Sequence, residues 1–221
     1  MKTVLSLPSI QSGQLWENLY GTSLSLACVE IVKKRQSMTL LITPDNLTAM
    51  QLFDEIEFYL RDCEQRKHMY FFPDWETLPY DQFSPHQDLI SERLKTLTQI
   101  RQNPQAIVIG AISTFMHRLC PPEFLQQSAF HLTVGQTIDR EAFRRQLQQA
   151  GYFAVNKVME HGEYAIRGSI IDVFPMGSKR PFRIELFDDE IDSLRFFDAD
   201  SQRTIEKQKT IAILPAREFH N

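Results

Sequence analysis

Residues 159–198, MEHGEYAIRGSIIDVFPMGSKRPFRIELFDDEIDSLRFFD, leave this chain few ways to fold. Apolar residues alternate with polar ones over short runs, and the runs are separated by turn residues. That pattern specifies consecutive strands joined by tight turns. Pro175-Met176-Gly177 ends one pair of strands, and Asp188-Asp189-Glu190 makes the next corner before a strand over residues 191–197. Tyr164, Ile166 and Ile170 are expected on one side of their ribbon, with Arg167 opposite. Phe182, Ile184 and Leu186 alternate with Arg183, Glu185 and Phe187. A half-buried strand sends one set of side chains inward, so the first trio packs on a core and Arg183 and Phe187 stand on the other face. Arg167 joins them if its strand pairs with theirs. Two arrangements fit this face. Either Phe187 lies under a helix with the arginines solvated, or an exposed ring stands among arginines, the composition of a protein-binding hot spot. The pattern alone favours the first, because single exposed apolar residues are common.

With 221 residues, 43% of them hydrophobic, the chain can bury one large or two small cores. A net charge of −4 gives no global basic field to draw in nucleic acid. Cys28, Cys63 and Cys120 are far apart and lack C-x-x-C spacing, which points to reduced thiols in a cytoplasmic protein. No secretory signal opens the sequence and no apolar run reaches membrane-spanning length, so no membrane partner is expected.

An extended opening segment leads to a helix over residues 24–34, and residues 38–42 read as a buried strand. Thr43 is expected to cap a helix with Pro44 in its first position and Ala49, Leu52, Phe53, Ile56, Tyr59 and Leu60 on its core face. Strands over residues 69–72 and 106–110 flank a helix over residues 88–101 that turns Ile90, Leu94 and Leu97 inward. Short helices follow at Ser113 or Thr114 and at Pro121-Pro122. Strands alternating with helices imply a parallel sheet covered on both faces. A strand over residues 129–134 comes next, then a helix capped by Asp139, lined by Phe143, Leu147 and Ala150 and ended by Gly151. The change to consecutive short strands places a boundary near Gln127 or Ser128, giving domains of 1–127 and 128–214 with a closing segment 215–221.

Gly21-Thr22-Ser23 lacks the lysine and the glycines of a phosphate loop, so neither an ATP site nor any other cofactor is expected. The six histidines lack metal-binding spacing, and His161, between Glu160 and Glu163, reads as a hydrogen-bonded structural residue. Asp188, Asp189, Glu190 and Asp192 lack the spacing of a calcium loop. Asp74, Glu76, Asp81 and Asp88 make the loop over residues 73–86 and its exit acidic, which opposes phosphate binding; Trp75, Pro79 and Tyr80 read as packing that pins this loop. Nucleotide hydrolysis and nucleic-acid binding by a helicase-like module are retained as alternatives to protein recognition.

Several strings carry a resemblance. They are residues 159–165 (MEHGEYA), Arg167-Gly168, residues 172–178 (DVFPMGS), residues 187–195 (FDDEIDSLR), residues 74–81 (DWETLPYD) and residues 83–88 (FSPHQD). Together they resemble the N-terminal UvrB-homology module of the bacterial transcription-repair coupling factors, across nearly the whole chain. The resemblance implies an α/β fold: a RecA- or helicase-like parallel-sheet domain, its ATP loop eroded and its damage-probing hairpin too short, then a smaller antiparallel α+β domain. It implies a fragment without enzymatic activity that recruits UvrA to stalled RNA polymerase in nucleotide excision repair by mimicking UvrB. The family's UvrA-contacting positions fall on Arg167, Arg183 and Phe187, with Phe187 filling an apolar pocket between the arginines. This shifts the weight to an exposed ring. RNA polymerase and DNA are partners of domains absent from this sequence, and the module is masked in the intact family protein by its distal C-terminal domain.

Overall fold

Three parallel strands organise the first of two units into which the chain divides, Met1–Asp74 with Gln99–His117; the second is Trp75–Thr98 with Arg118–Asn221. The computed structural model describes residues 13, 15–35, 37–75, 77 and 85–218, without the side chain of Pro122. The expected opening extended segment, with Glu76, Pro79, Tyr80, Asp81 and residues 219–221, lies outside them.

In the first unit, β1 (Thr39–Thr43), β2 (Met69–Phe71) and β3 (Ile107–Ala111) form a sheet of order β1-β3-β2, with β3 pairing in parallel on both sides. Helices α1 (Ser23–Lys34) and α2 (Asn46–Leu60) pack on it through Cys28, Val29 and Val32 and through Ala49, Leu52, Ile56 and Leu60. Phe53 and Tyr59 are partly buried against that cluster, so the expected core face of α2 is present. Two expectations need correction. Asp45, rather than Thr43, caps α2, accepting from the Thr48 amide at 2.7 Å, because Thr43 is still the last residue of β1. Strand β1 is not buried on both sides. Leu40 and Ile42 alternate away from α1 and α2 and are about half exposed, since β1 is an edge strand and nothing among the described residues covers them. A Cβ at Gly110 would stand 2.9 Å from the Phe72 carbonyl, so the close approach of backbone there requires glycine.

The second unit takes the first part of α3 (Gln87–Gln102), then α5 (Pro122–Gln127), β4 (Phe130–Thr133), α6 (Arg140–Gln149) and strands β5 to β11; the short α4 (Ile112–Met116) belongs to the first unit. The strands are β5 (Phe153–Ala154), β6 (Glu163–Arg167), β7 (Ile170–Val173), β8 (Phe182–Phe187), β9 (Glu190–Phe197), β10 (Thr204–Gln208) and β11 (Thr210–Ile213). Strands β5 to β10 lie in sequence order in a six-stranded sheet, antiparallel except for β5 with β6, while β11 pairs with β4. The chain is thus a mixed α/β structure with parallel and antiparallel sheets.

Asp139 caps α6 by accepting from the Glu141 and Ala142 amides, and these bonds hold its carboxyl below the usual carboxylate range. Gly151, at φ 93, ends the helix. One face of the six-stranded sheet then buries Tyr164, Ile171, Val173, Phe182, Ile184, Leu186, Ile191 and Leu194 against Phe143 and Leu147 of α6, Leu94 of α3 and Leu132, Ile211 and Ile213 of the β4–β11 pair. Ile90 and Leu97 are partly buried on the same core. The Tyr152 hydroxyl, fully enclosed, donates to the Leu214 carbonyl at 2.6 Å and accepts from the Met176 amide at 3.3 Å; burial pushes its pKa upward. Arg93 and Glu218 form a buried ion pair at 2.6 Å, with the Trp75 ring centroid 4.2 Å from the guanidinium carbon. That stack is the packing expected of Trp75. His161 sets Nδ1 2.6 Å from Asp88 and Nε2 2.7 Å from the Ser178 carbonyl, so its structural partners are these and not its acidic sequence neighbours. All three cysteines are free thiols, and burial pushes Cys28 and Cys120 up to about 11.

The alternation of β8 makes a testable contrast. Ile184→Ala, at the centre of the core face, should destabilise the chain by about 3 kcal/mol in urea unfolding. Phe187→Ala, three residues away on the other face, should change stability by less than about 0.5 kcal/mol. Equal losses would mean that β8 is not half-buried in this register.

Candidate functional site

The second face of the six-stranded sheet carries the polar partners of that core. Cross-strand neighbours share a face, so the register decides which side chains meet. Asp172 on β7 stands opposite Ala165 on β6 and Arg183 on β8, and Arg183 stands opposite Arg195 on β9. One row along, Arg167 pairs with Ile170, Ile170 with Glu185, and Glu185 with Ser193. Ile170 therefore shares the side of Arg167, a correction to the expectation that grouped it with Tyr164 and Ile166. The turn at Gly168 and Ser169 makes 167 and 170 direct partners. Gly168, at φ 59, provides the left-handed backbone this turn requires.

Asp172 is the centre of the arrangement. Its side chain is fully buried, and a carboxylate out of water must be compensated by charge and hydrogen bonds. Arg183 supplies a bidentate fork, Nε donating to Oδ1 at 2.7 Å and Nη2 to Oδ2 at 2.9 Å. Arg167 adds a third bond, Nη2 to Oδ2 at 2.6 Å. The Arg183 guanidinium carbon lies 4.7 Å from the Phe197 ring centroid, and Nη1 donates to the Gln202 carbonyl at 3.3 Å. The Asp172 hydrogen bond is the main reason the Arg183 pKa is raised; burial opposes it, and the charges of Asp172 and Glu185 add to it. Beside Arg183, Arg195 pairs with Glu185 at 3.1 Å, and Ser193 donates to the same Glu185 oxygen at 2.7 Å. Two arginines directly opposite one another repel, and the two carboxylates offset that repulsion.

At the Phe197 end of this face, Val158, Ala165, Phe174 and Phe197 form a small apolar cluster. At the other end, Phe187 is 75% exposed, so no helix among the described residues covers it. Burying such a ring is worth roughly 1.5–3 kcal/mol, which the isolated chain forgoes. The structure thus brings the three expected residues onto one face, with two adjustments. Strand β6 does not pair with β8; β7 lies between them, and Asp172 bridges Arg167 to Arg183. Phe187 lies beside the arginine pair rather than between its members, about 13 Å along β8 from Arg183 at roughly 3.3 Å per residue. The arginines also differ in freedom: the Arg167 side chain is 51% exposed, that of Arg183 only 15%.

Asp172, Glu185 and Arg195 were not singled out from the sequence. A signal for the first was present: an aspartate inside the apolar run Ile170-Ile171-Asp172-Val173-Phe174 cannot be buried without a cation. Three guanidiniums against two carboxylates leave the network a net charge of one positive, weaker than isolated arginines would give.

Arg183→Ala strips the fork from a buried carboxylate. It should lower unfolding free energy by about 3 kcal/mol, and Arg167→Ala by less than about 1 kcal/mol, in urea titrations. Equal small effects would show that Asp172 does not depend on Arg183.

This face lies within a segment that matches a known protein family. Residues 130–219 match the UvrB interaction domain. Over 206 residues, 93% of the chain, it is 47% identical to the transcription-repair-coupling factor of Escherichia coli, covering 18% of that protein. It is 44% identical over 224 residues to that of Haemophilus influenzae, with 99% of the chain and 19% of the relative aligned. With the Bacillus subtilis protein it shares 30% identity over 206 residues, 93% of the chain and 17% of the relative. The chain spans less than a fifth of the length of these relatives. Residues 130–219 thus match the UvrB interaction domain, within a sequence similar over most of its length to a part, less than a fifth, of transcription-repair-coupling factors.

Proposed function

We propose that this chain is the N-terminal module of a transcription-repair-coupling factor, and that its 128–214 region binds UvrA through the face that UvrB also presents. It recruits UvrA to stalled RNA polymerase for nucleotide excision repair in the cytoplasm. The module itself carries no catalysis and takes no cofactor, and domain 1–127, RecA-like in this reading, supports it. RNA polymerase and DNA engage other parts of the whole protein, and a distal C-terminal region masks this face until the motor is engaged.

The observation that carries the reading is that Arg167, Arg183 and Phe187 share one face of the sheet within the segment matching the UvrB interaction domain, with Phe187 75% exposed. Arg167 offers its solvent-facing guanidinium to acidic groups on UvrA, Phe187 enters an apolar pocket, and Arg183 adds its remaining donors from a fixed position. The test is calorimetric titration of the chain with purified UvrA. Arg167→Ala and Phe187→Ala should each weaken binding by about 2 kcal/mol, as interface anchors do, with unfolding curves close to that of the unaltered chain. Arg183→Ala should weaken it at least as much, read at a temperature where that variant is folded. No binding by the unaltered chain, or unchanged affinity for all three variants, overturns the assignment.

A further inference from the structure

We propose that Asp172 is a positioning residue for partner recognition: its buried carboxylate fixes the rotamers of Arg167 and Arg183 before any partner arrives. The inference rests on the reading that this face binds UvrA. A free arginine loses much rotamer freedom when it is immobilised in an interface, and that loss weakens binding. Here it is incurred on folding. Asp172 takes two bonds from Arg183 and one from Arg167, at 2.6 to 2.9 Å, and the Phe197 ring and the Gln202 carbonyl hold Arg183 from two further directions. Gln202, at φ 59, is itself held by hydrogen bonds that its side-chain Nε2 donates to the Val158 and Ala199 carbonyls. Stability alone does not call for this arrangement, because a well-packed apolar residue at a buried position is commonly as stable as an ion pair, or more so. Ile171 and Val173, on either side of Asp172 in β7, show that the strand accommodates such residues, although they face the opposite core.

Asp172→Asn preserves volume but replaces one accepting oxygen with an N–H donor that faces arginine donors, so at least one guanidinium is released. Affinity for UvrA should fall about ten-fold. Because Asp172 would act through Arg167, its effect combined with Arg167→Ala should be clearly smaller than the product of the single effects. Combined with Phe187→Ala, which it does not touch, the effects should multiply within about two-fold. General disruption of the sheet would couple Asp172→Asn to Phe187 as strongly as to Arg167. Side-chain NMR gives a readout independent of UvrA: the Arg183 Nε–H signal, protected from water exchange in the unaltered chain, should lose that protection in the variant. If Asp172→Asn does not fold, Asp172→Glu keeps the charge while displacing both arginines by one methylene, and should show the same binding loss. Absence of binding by the unaltered chain removes the UvrA reading and this role with it. Normal binding by the unaltered chain together with full affinity of the Asp172 variant, or equal coupling to Arg167 and Phe187, overturns this inference alone.

Discussion

A carboxylate taken out of water in the middle of a β-sheet has to be answered by cations within hydrogen-bond reach, and that requirement at Asp172 shapes the polar half of the second unit. It draws Arg183 down from β8 until the side chain is largely enclosed, and it reaches across to the adjacent strand β6 to collect Arg167. A second carboxylate, Glu185, plays the corresponding part for Arg195. The outcome is a face on which charges are ordered before a partner meets them, next to an aromatic ring left in solvent. A pre-ordered, nearly balanced face suits selective recognition better than long-range attraction, since its net positive charge is small and electrostatic steering scales with the field.

The opposite half of the same sheet follows from simpler physics. Its residues are apolar, they alternate along each strand, and they meet apolar residues of α3 and α6. Because the side-chain period of a strand is two, a slip of one residue would bury Arg183 and Glu185 and expose Ile184 and Leu186. Core and polar face are therefore specified together: the hydrophobic pattern that fixes the register also decides which arginines reach Asp172.

This explains what could be read from the sequence and what could not. The strands from residue 163 to 197, their corners, the helix capped by Asp139 and the inward trio Phe182, Ile184 and Leu186 follow from local pattern, because periodicity and turn chemistry act over a few residues. The side of Ile170, the strand interposed between Arg167 and Arg183, and the role of Asp172 depend on which strands are neighbours, which no local window contains. The resemblance supplied Arg167, Arg183 and Phe187 as a set, whereas the pattern alone left the ring either covered or bare. In the first unit, the apolar run over β1 suggested burial on both sides; composition does not reveal that the strand lies at a sheet edge, where Leu40 and Ile42 stay half exposed. The cap of α2 moved from Thr43 to Asp45 for a local reason, since both residues can cap and the strand extends through the first.

The central claim is that one face of the six-stranded sheet, ordered around Asp172, meets the partner. Backbone hydrogen exchange of the 221-residue chain, measured with and without UvrA, tests it most directly. The account predicts that UvrA slows exchange along β6, β7 and β8 and in the turns at residues 168–169 and 188–189, and leaves β1, β3 and α2 unchanged. Slowed exchange in the first unit, with none on β6 to β8, would contradict it.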